Sequence, residues 1–332
     1  MPEEVTTLVV VIVLAIVFDY INGFHDTANA IATSVSTRAL KPEWAIAMSA
    51  TANFGGALLG TAVAVTVSSG IIDPNVESQT VIAAALVGAI AWNLLTWRLG
   101  IPSSSSHALI GGLLGASLIS AGFASWQIDG IVFKVLLPLF ASPLIGFAGG
   151  LLLMAVLFNV FRRAHPMRLN AGFRRAQVAS AAYMAFSHGS NDAQKTMGIM
   201  TLALVTAGVQ TSYEPPVWVI LTAASAISLG TAAGGWRIIK TMGQKVVKLD
   251  PVHGFAAETT AATVITVASH FGMPVSTTHV ISSAILGVGS SDRLKTVRWR
   301  VARSIATAWV LTLPAAGLTA ALAYVILNPL LG

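Results

Sequence analysis

Cysteine is absent from all 332 residues, which removes disulfides and thiolate metal sites from consideration. Charge is scarce too. Asp, Glu, Lys and Arg supply 10% of the chain, against roughly 25% in a soluble globular domain. That is too little to keep a water-facing surface solvated. No Gly-rich phosphate loop closed by Lys-Ser or Lys-Thr occurs, which argues against nucleotide-driven work within this chain. What remains is apolar, with 55% hydrophobic residues and a mean hydropathy of +0.77. A bilayer solvates such a surface; water does not.

The apolar residues fall in long runs: Val5–Ile21, Ala45–Val67, Thr80–Trp97, Leu109–Ala121, Val132–Phe161, Val217–Trp236, Ala256–Ala268 and Ile305–Leu327. A spanning helix needs about 20 such residues, so the fold class is an all-α polytopic membrane protein. The first run follows Glu3 and Glu4, not Lys or Arg, and reaches polar chemistry at Asn22–Asn29 without a clear cleavage site. It reads as a span and not as a secretory leader. The net charge of +6 does not point to nucleic acid, because the basic residues sit in short inter-helix loops.

An internal repeat organises the chain. Asn22-Gly23-Phe24-His25-Asp26-Thr27-Ala28-Asn29 is answered by His188-Gly189-Ser190-Asn191-Asp192-Ala193-Gln194-Lys195, with Gly23 and Asp26 in register with Gly189 and Asp192. Further on, Pro102-Ser103-Ser104-Ser105-Ser106-His107 is answered by Pro274-Val275-Ser276-Thr277-Thr278-His279. Residues 1–161 and 176–332 are thus the two repeats. They are joined by a basic linker, 162–175, whose arginines Arg162, Arg163, Arg168, Arg174 and Arg175 place it in the cytoplasm. By the same rule Arg38/Lys41, Arg98, Arg237–Lys248 and Arg293–Arg303 lie inside. Asp73/Glu77, Asp129, Tyr213-Glu214-Pro215 and both termini lie outside. These signs give an odd number of crossings per half, with Val5–Thr37 and Gln177–Ala207 each an interrupted span, and hence an inverted second repeat. The expected total is about 10–12 membrane segments, fewer of them full crossings if the proline motifs sit on re-entrant hairpins.

Broken helix at membrane depth is tolerated only where protein or water surrounds it. Gly23 and Gly189 weaken the helix beside a carboxylate, and Pro102 and Pro274 interrupt it just before a run of hydroxyls. Each break exposes N–H groups at the start of a half-helix, where an anion is favoured. Ser104, Ser105, Ser106, Ser276, Thr277 and Thr278 add neutral donors, the set a tetrahedral oxyanion needs if it is to be released again. Taken singly, such hydroxyls more often bond to the preceding helical turn or glue helices together. Asp26 and Asp192 with Asn29 and Asn191 look instead like oxygen-rich cation ligands. Na⁺ at the two aspartates, or a proton titrating them, would offset their repulsion of an anion. Lys195 pairs with Asp192 or attracts substrate. Glu258 serves coupling or stabilises a helix start. His107 and His279 are structural donors, proton relays or substrate contacts. Asp19 has Ala185 as its counterpart and is a weak coupling candidate, while Asn53 and Asn93 read as helix glue.

The runs Phe18–Asn29 and Ser187–Lys195, with the twin Pro-to-His segments, resemble the inorganic phosphate transporter (PiT) family along essentially the whole chain. The resemblance implies cation-coupled symport of phosphate, no enzyme activity, no cofactor beyond Na⁺ or H⁺ as coupling ion, lipid surroundings in the plasma membrane and a homodimer. It assigns phosphate contact to Ser104–Ser106, Ser276–Thr278 and Asn191, to which the residues themselves add Lys195. Cation binding falls to Asp26, Asn29, Asp192 and Glu258, with Asn22, Gly23, His25, Gly189, His107 and His279 in support. One departure is Asn53, where some members carry glutamate, so ion stoichiometry does not carry over. A sulfate permease on the same scaffold is the nearest rival. An intramembrane enzyme using Asp26 and Asp192 would not need the twin hydroxyl runs, and a passive channel would be indifferent to Asp26.

Overall fold

The computed structural model describes residues 2–73, 78–292 and 294–331. Glu77 and Arg293, two residues used above to sign the loops, lie outside the described residues. Helices α1 (Pro2–Ser36), α2 (Pro42–Ala57), α3 (Ala62–Ser69), α4 (Gln79–Leu99), α5 (Ser105–Ser120) and α6 (Ile128–Phe161) make up the first half. The second half contains α7 (Pro166–Thr206), α8 (Val217–Ala233), α9 (Trp236–Lys245), α10 (Pro251–His270), α11 (Thr277–Asp292) and α12 (Trp299–Leu331). Among the described residues, α1, α4, α6 and α12 are long and apolar enough to cross a bilayer, and two bent pairs raise the number to six. Those pairs, α2–α3 and α8–α9, turn by 69° and 60°. The sequence runs Ala45–Val67 and Val217–Trp236 are therefore broken, at Gly60 and at Gly234-Gly235, and not continuous.

Two expectations about the motif helices need correction. α1 and α7 run unbroken through Gly23 and Gly189. These glycines are close-approach points and not helix breaks. A Cβ on Gly23 would meet the Ile227 carbonyl and lie 2.9 Å from Thr231 N, and one on Gly189 would strike the Asn53 backbone. Residues 162–175 are likewise not a free linker. Pro166 opens α7 at its first turn, as its fixed φ favours, so Arg168, Arg174 and Arg175 ride on the helix and only 162–165 connect the halves. Gly189→Ala forces the Asn53 backbone away and is expected to destabilise the protein by about 1–3 kcal/mol. Gly172→Ala, whose Cβ would meet nothing within 4 Å, should stabilise it by about 0.5–1 kcal/mol, as expected inside an exposed helix. Thermal unfolding in detergent separates the two.

The breaks expected at Pro102 and Pro274 are present. α4 ends on Gly100 (φ +67°) and α10 shortly before Gly272 (φ +65°), the left-handed conformation that closes helices and suits glycine. Gly112 packs on the Ala85 backbone, so α4 and α5 fold back on each other as a hairpin. Its two ends are tied together, Asp73 N donating to Ser125 O at 2.8 Å and Gln127 N to Ile71 O at 3.0 Å. Arg298 N donates to Val246 O at 3.0 Å and closes the base of the α10–α11 hairpin in the same way. Both hairpins thus return to the end of the bundle from which they start.

The two halves exchange packing partners. α1 packs on α8 as α7 packs on α2, and α5 packs on α12 as α11 packs on α6. α1 and α7 also contact each other and run antiparallel: Thr37 Oγ1 donates to Gln177 Oε1 at 2.7 Å near one end, and Asp19 faces Thr196 near the other. Two apolar clusters fill the interior, and each draws on both halves. Phe18, Leu86, Ile110, Met197 and Ile227 belong to one, and Ile31, Met154, Met184, Ile265 and Val280 to the other. The polar site lies between them, at the middle of the α1–α7 crossing.

Candidate functional site

Asp26 of α1 and Asp192 of α7 face each other across the helix crossing, both buried to within 2% of full enclosure. His188 lies between them. Its Nε2 is 3.1 Å from Asp192 Oδ2 and 4.0 Å from Asp26 Oδ2. One ligand atom from each of the three residues can be chosen so that all lie within 4.8 Å of one another. On the far side of Asp26, His25 Nδ1 sits 2.6 Å from Oδ1, and its Nε2 is 3.1 Å from Thr96 Oγ1. Lys195, one turn beyond Asp192, donates to Asp192 Oδ1, to Ser106 Oγ and, at 2.9 Å, to the Val275 carbonyl.

The hairpin tips bring the hydroxyls to this cluster. Ser105 Oγ donates to Asp26 Oδ2 at 3.1 Å, with Thr278 Oγ1 3.5 Å from the same oxygen, and Thr277 Oγ1 donates to Asp192 Oδ2 at 3.2 Å. Asn29 Nδ2 donates to Thr278 Oγ1 at 2.9 Å and to Thr277 Oγ1 at 3.3 Å. Ser104 and Ser276 play a matched local part. Each accepts from the backbone N–H three residues on, His107 at 3.1 Å and His279 at 3.2 Å, and so fixes the start of its helix. These two hydroxyls are helix caps in this conformation, while Ser105, Ser106, Thr277 and Thr278 point at charge. Every one of these side chains is buried, so the site is closed to water.

Several expected residues lie off this centre. Glu258 is the eighth residue of α10 and not a helix start, so N-terminal stabilisation is ruled out by position. It accepts from Thr33, Ser180 and, at 3.1 Å, Gln177 Nε2. Thr33 is seven residues beyond Asp26, about 10 Å along the helix axis. Asn191 Nδ2 donates to Ser269 Oγ at 2.7 Å and to Met273 O at 3.2 Å, pinning the elbow of the α10–α11 hairpin. Its Oδ1, like those of Asn22 and Asn29, is buried with no hydrogen-bond partner. The His107 and His279 rings meet at 4.7 Å between the hairpins, and His279 stacks on Trp309.

Some polar residues took on more than the sequence suggested. His188 was legible only as the first residue of its motif, yet four residues before Asp192 it shares that helix face. Asn53, read as helix glue, is glue of a particular kind. Its Nδ2 donates to Thr231 Oγ1 at 2.8 Å and its Oδ1 lies 3.0 Å from His188 Nδ1, which orients the central imidazole. Asn93 is buried without a hydrogen-bond partner and so does not serve as glue. Asp19 is fully buried beside Asn22 and Thr196, in the field of Asp192.

The two carboxylates, with His188 beside them, could hold a cation. The hairpin hydroxyls and half-helix starts suit an oxyanion. Comparison with known proteins gives this pairing a context. The pattern of the Phosphate transporter family matches residues 22–320. The chain belongs to that family. A "Probable low-affinity inorganic phosphate transporter" of Bacillus subtilis (strain 168) is 50% identical over 323 residues, covering 96% of this chain and 97% of the relative. A protein of the same name from Rhizobium meliloti (strain 1021) is 49% identical, covering 96% and 95% of the two chains. A solved structure entitled "The sodium-dependent phosphate transporter" matches the fold with a TM-score of 0.85 at 24% identity, over 98% of this chain and 100% of that one. This member of the phosphate transporter family is therefore a transporter and not an enzyme.

Proposed function

We propose that this chain is a symporter that carries inorganic phosphate across the plasma membrane together with Na⁺ or H⁺, by alternating access around the Asp26–Asp192 centre. Residues 1–161 and 176–332 act as inverted repeats, with the Arg162–Arg175 region in the cytoplasm and both termini outside. Support comes from the antiparallel α1 and α7, the exchanged packing partners and the two hairpins closed at their bases. The relatives named above as phosphate transporters supply the substrate. A homodimer is carried by the family resemblance, and cross-linking in native membranes tests it.

One observation carries the coupling. Ser105, Thr277 and Thr278, the donors an anion needs, lie on the carboxylate oxygens of Asp26 and Asp192. Phosphate and the carboxylates compete for the same hydroxyls. A cation or proton on the aspartates weakens their hold on the hydroxyls and cancels the charge that repels the anion, so the two cargoes bind better together than apart. The reciprocal coupling is the thermodynamic content of symport. Phosphate is favoured over sulfate because it retains a P–OH near neutral pH, and an aspartate oxygen beside the hydroxyls can accept from it. Glu258 stands apart from the hydroxyl cluster and is the less suited acceptor.

Purified protein in proteoliposomes tests this. Labelled phosphate should accumulate under an imposed Na⁺ gradient or an imposed pH gradient, and excess sulfate should inhibit weakly. Accumulation under neither gradient removes the symport reading, and strong sulfate competition replaces phosphate with sulfate.

A further inference from the structure

The motif register that sets Gly23 on Gly189 and Asp26 on Asp192 also sets Asn29 on Lys195, and the hairpin register sets Ser105 and Ser106 on Thr277 and Thr278. The contacts obey both registers. Ser105 donates to Asp26 as Thr277 donates to Asp192, each within its own half. Asn29 reaches across to Thr278 as Lys195 reaches across to Ser106. The site is thus built twice, with three chemical differences: Asn22 stands against His188, His25 against Asn191 and Asn29 against Lys195. At the last of these, where the first half has an amide, the second has an ammonium.

The surroundings of that ammonium are informative. Lys195 Nζ has three N–H donors and three oxygen partners: a carboxylate oxygen of Asp192, the Ser106 hydroxyl and the backbone carbonyl of Val275 beside the Pro274 break. Carboxylate, hydroxyl and broken-helix carbonyl are the oxygens from which transporters assemble sites for monovalent cations. At the matching place in the first half no fixed charge is present. Asn29 Nδ2 is spent on Thr277 and Thr278, and its Oδ1 is buried with no hydrogen-bond partner, 1% of the residue being exposed. His25 and His188 also face the carboxylates, but neither side chain gathers a carboxylate, a hydroxyl and a broken-helix carbonyl as Lys195 Nζ does.

We propose that Lys195 is a tethered cation that fills one of two equivalent cation positions, so that this protein needs one mobile cation fewer per phosphate than a site with an amide in both halves. The ammonium cannot be released with the cargo, so the mobile ion is confined to the Asp26 half. This rests on the symport reading above and sharpens it. Lys195 sets the ion stoichiometry; it is not simply an anchor for the anion.

The test is the Na⁺ dependence of phosphate uptake by full-length protein in proteoliposomes, at fixed pH and below Na⁺ saturation. Lys195→Asn recreates the first-half arrangement and should raise the order in Na⁺ by one. A tenfold increase in Na⁺ then speeds the variant about tenfold more than the wild type, as mass action requires. If the wild type is driven by protons alone, the variant should acquire a Na⁺ requirement that the wild type lacks. Asn29→Lys makes the converse change and should lower the cation order by one, which keeps the idea testable if Lys195→Asn does not survive purification. Either variant, monodisperse and transporting at an unchanged cation order, overturns the inference. A monodisperse Lys195→Asn that takes up no phosphate at any Na⁺ concentration also overturns it and makes Lys195 a substrate contact. Wild-type protein that accumulates phosphate under neither gradient brings down the symport reading, and this one with it.

Discussion

Asp26→Asn should abolish accumulation of phosphate against a gradient, with the initial rate of driven uptake falling roughly 100-fold. The carboxylate accepts from Ser105, has Thr278 3.5 Å away, and sits beside His25 and His188. An amide in its place has the same shape, but half of it donates, so it cannot accept from all of these groups and cannot neutralise a cation. Hydrogen bonds to charged groups contribute about 1.5–3 kcal/mol each, and losing the equivalent of about 3 kcal/mol lowers an equilibrium roughly 100-fold. Labelled phosphate in proteoliposomes under each gradient is the measurement. A passive pore would conduct as before, and unchanged accumulation would remove Asp26 from the coupling centre.

Removing the donors should act on the anion instead. In a Ser105→Ala, Thr277→Val double variant each aspartate loses the hydroxyl contributed by its own half, and the anion loses one donor at each hairpin tip. At about 1.4 kcal/mol per tenfold, two such contacts are expected to raise the phosphate concentration for half-maximal uptake by about two orders of magnitude. The maximal rate should fall much less, because the carboxylates and Lys195 remain. Saturation curves at fixed cation concentration decide. A lower maximal rate with unchanged half-saturation would mean that the hydroxyls only pack the hairpins.

Much of this centre was legible because polar residues are costly in a bilayer and stand out against apolar runs. Asp26, Asp192, Asn29, Lys195 and the two hydroxyl segments are brought together as the repeat suggested. What escaped was whatever depends on a partner helix. Glycine beside a carboxylate reads as a helix break, but at Gly23 and Gly189 it answers to Ile227 and to the Asn53 backbone, which no local pattern reveals. Glu258 looks like a third member of the centre until α10 places it with Thr33, Gln177 and Ser180. The linker arginines signalled charge correctly, yet Pro166 was a helix start and not a loop residue. The closure of the hairpins at their bases rests on backbone bonds such as Asp73 to Ser125, formed between segments that carry no distinctive side chains.

The exchange of partners between the halves has a consequence for how the chain is made. α1 rests on α8, which begins only at Val217, and Asp26 meets His188 shortly before that and Thr278 later still in the sequence. At about 5–20 residues per second, the ribosome leaves α1 for on the order of ten to forty seconds before α8 is complete. For much of that interval Asp19 lacks Thr196 and Asp26 lacks His188 and Thr278, so both carboxylates must be sheltered by the insertion machinery or by headgroups. The native centre therefore closes only after the second half is in the bilayer, and a chain stopped near Phe161 is expected to be a target for membrane proteases instead of a stable half-transporter.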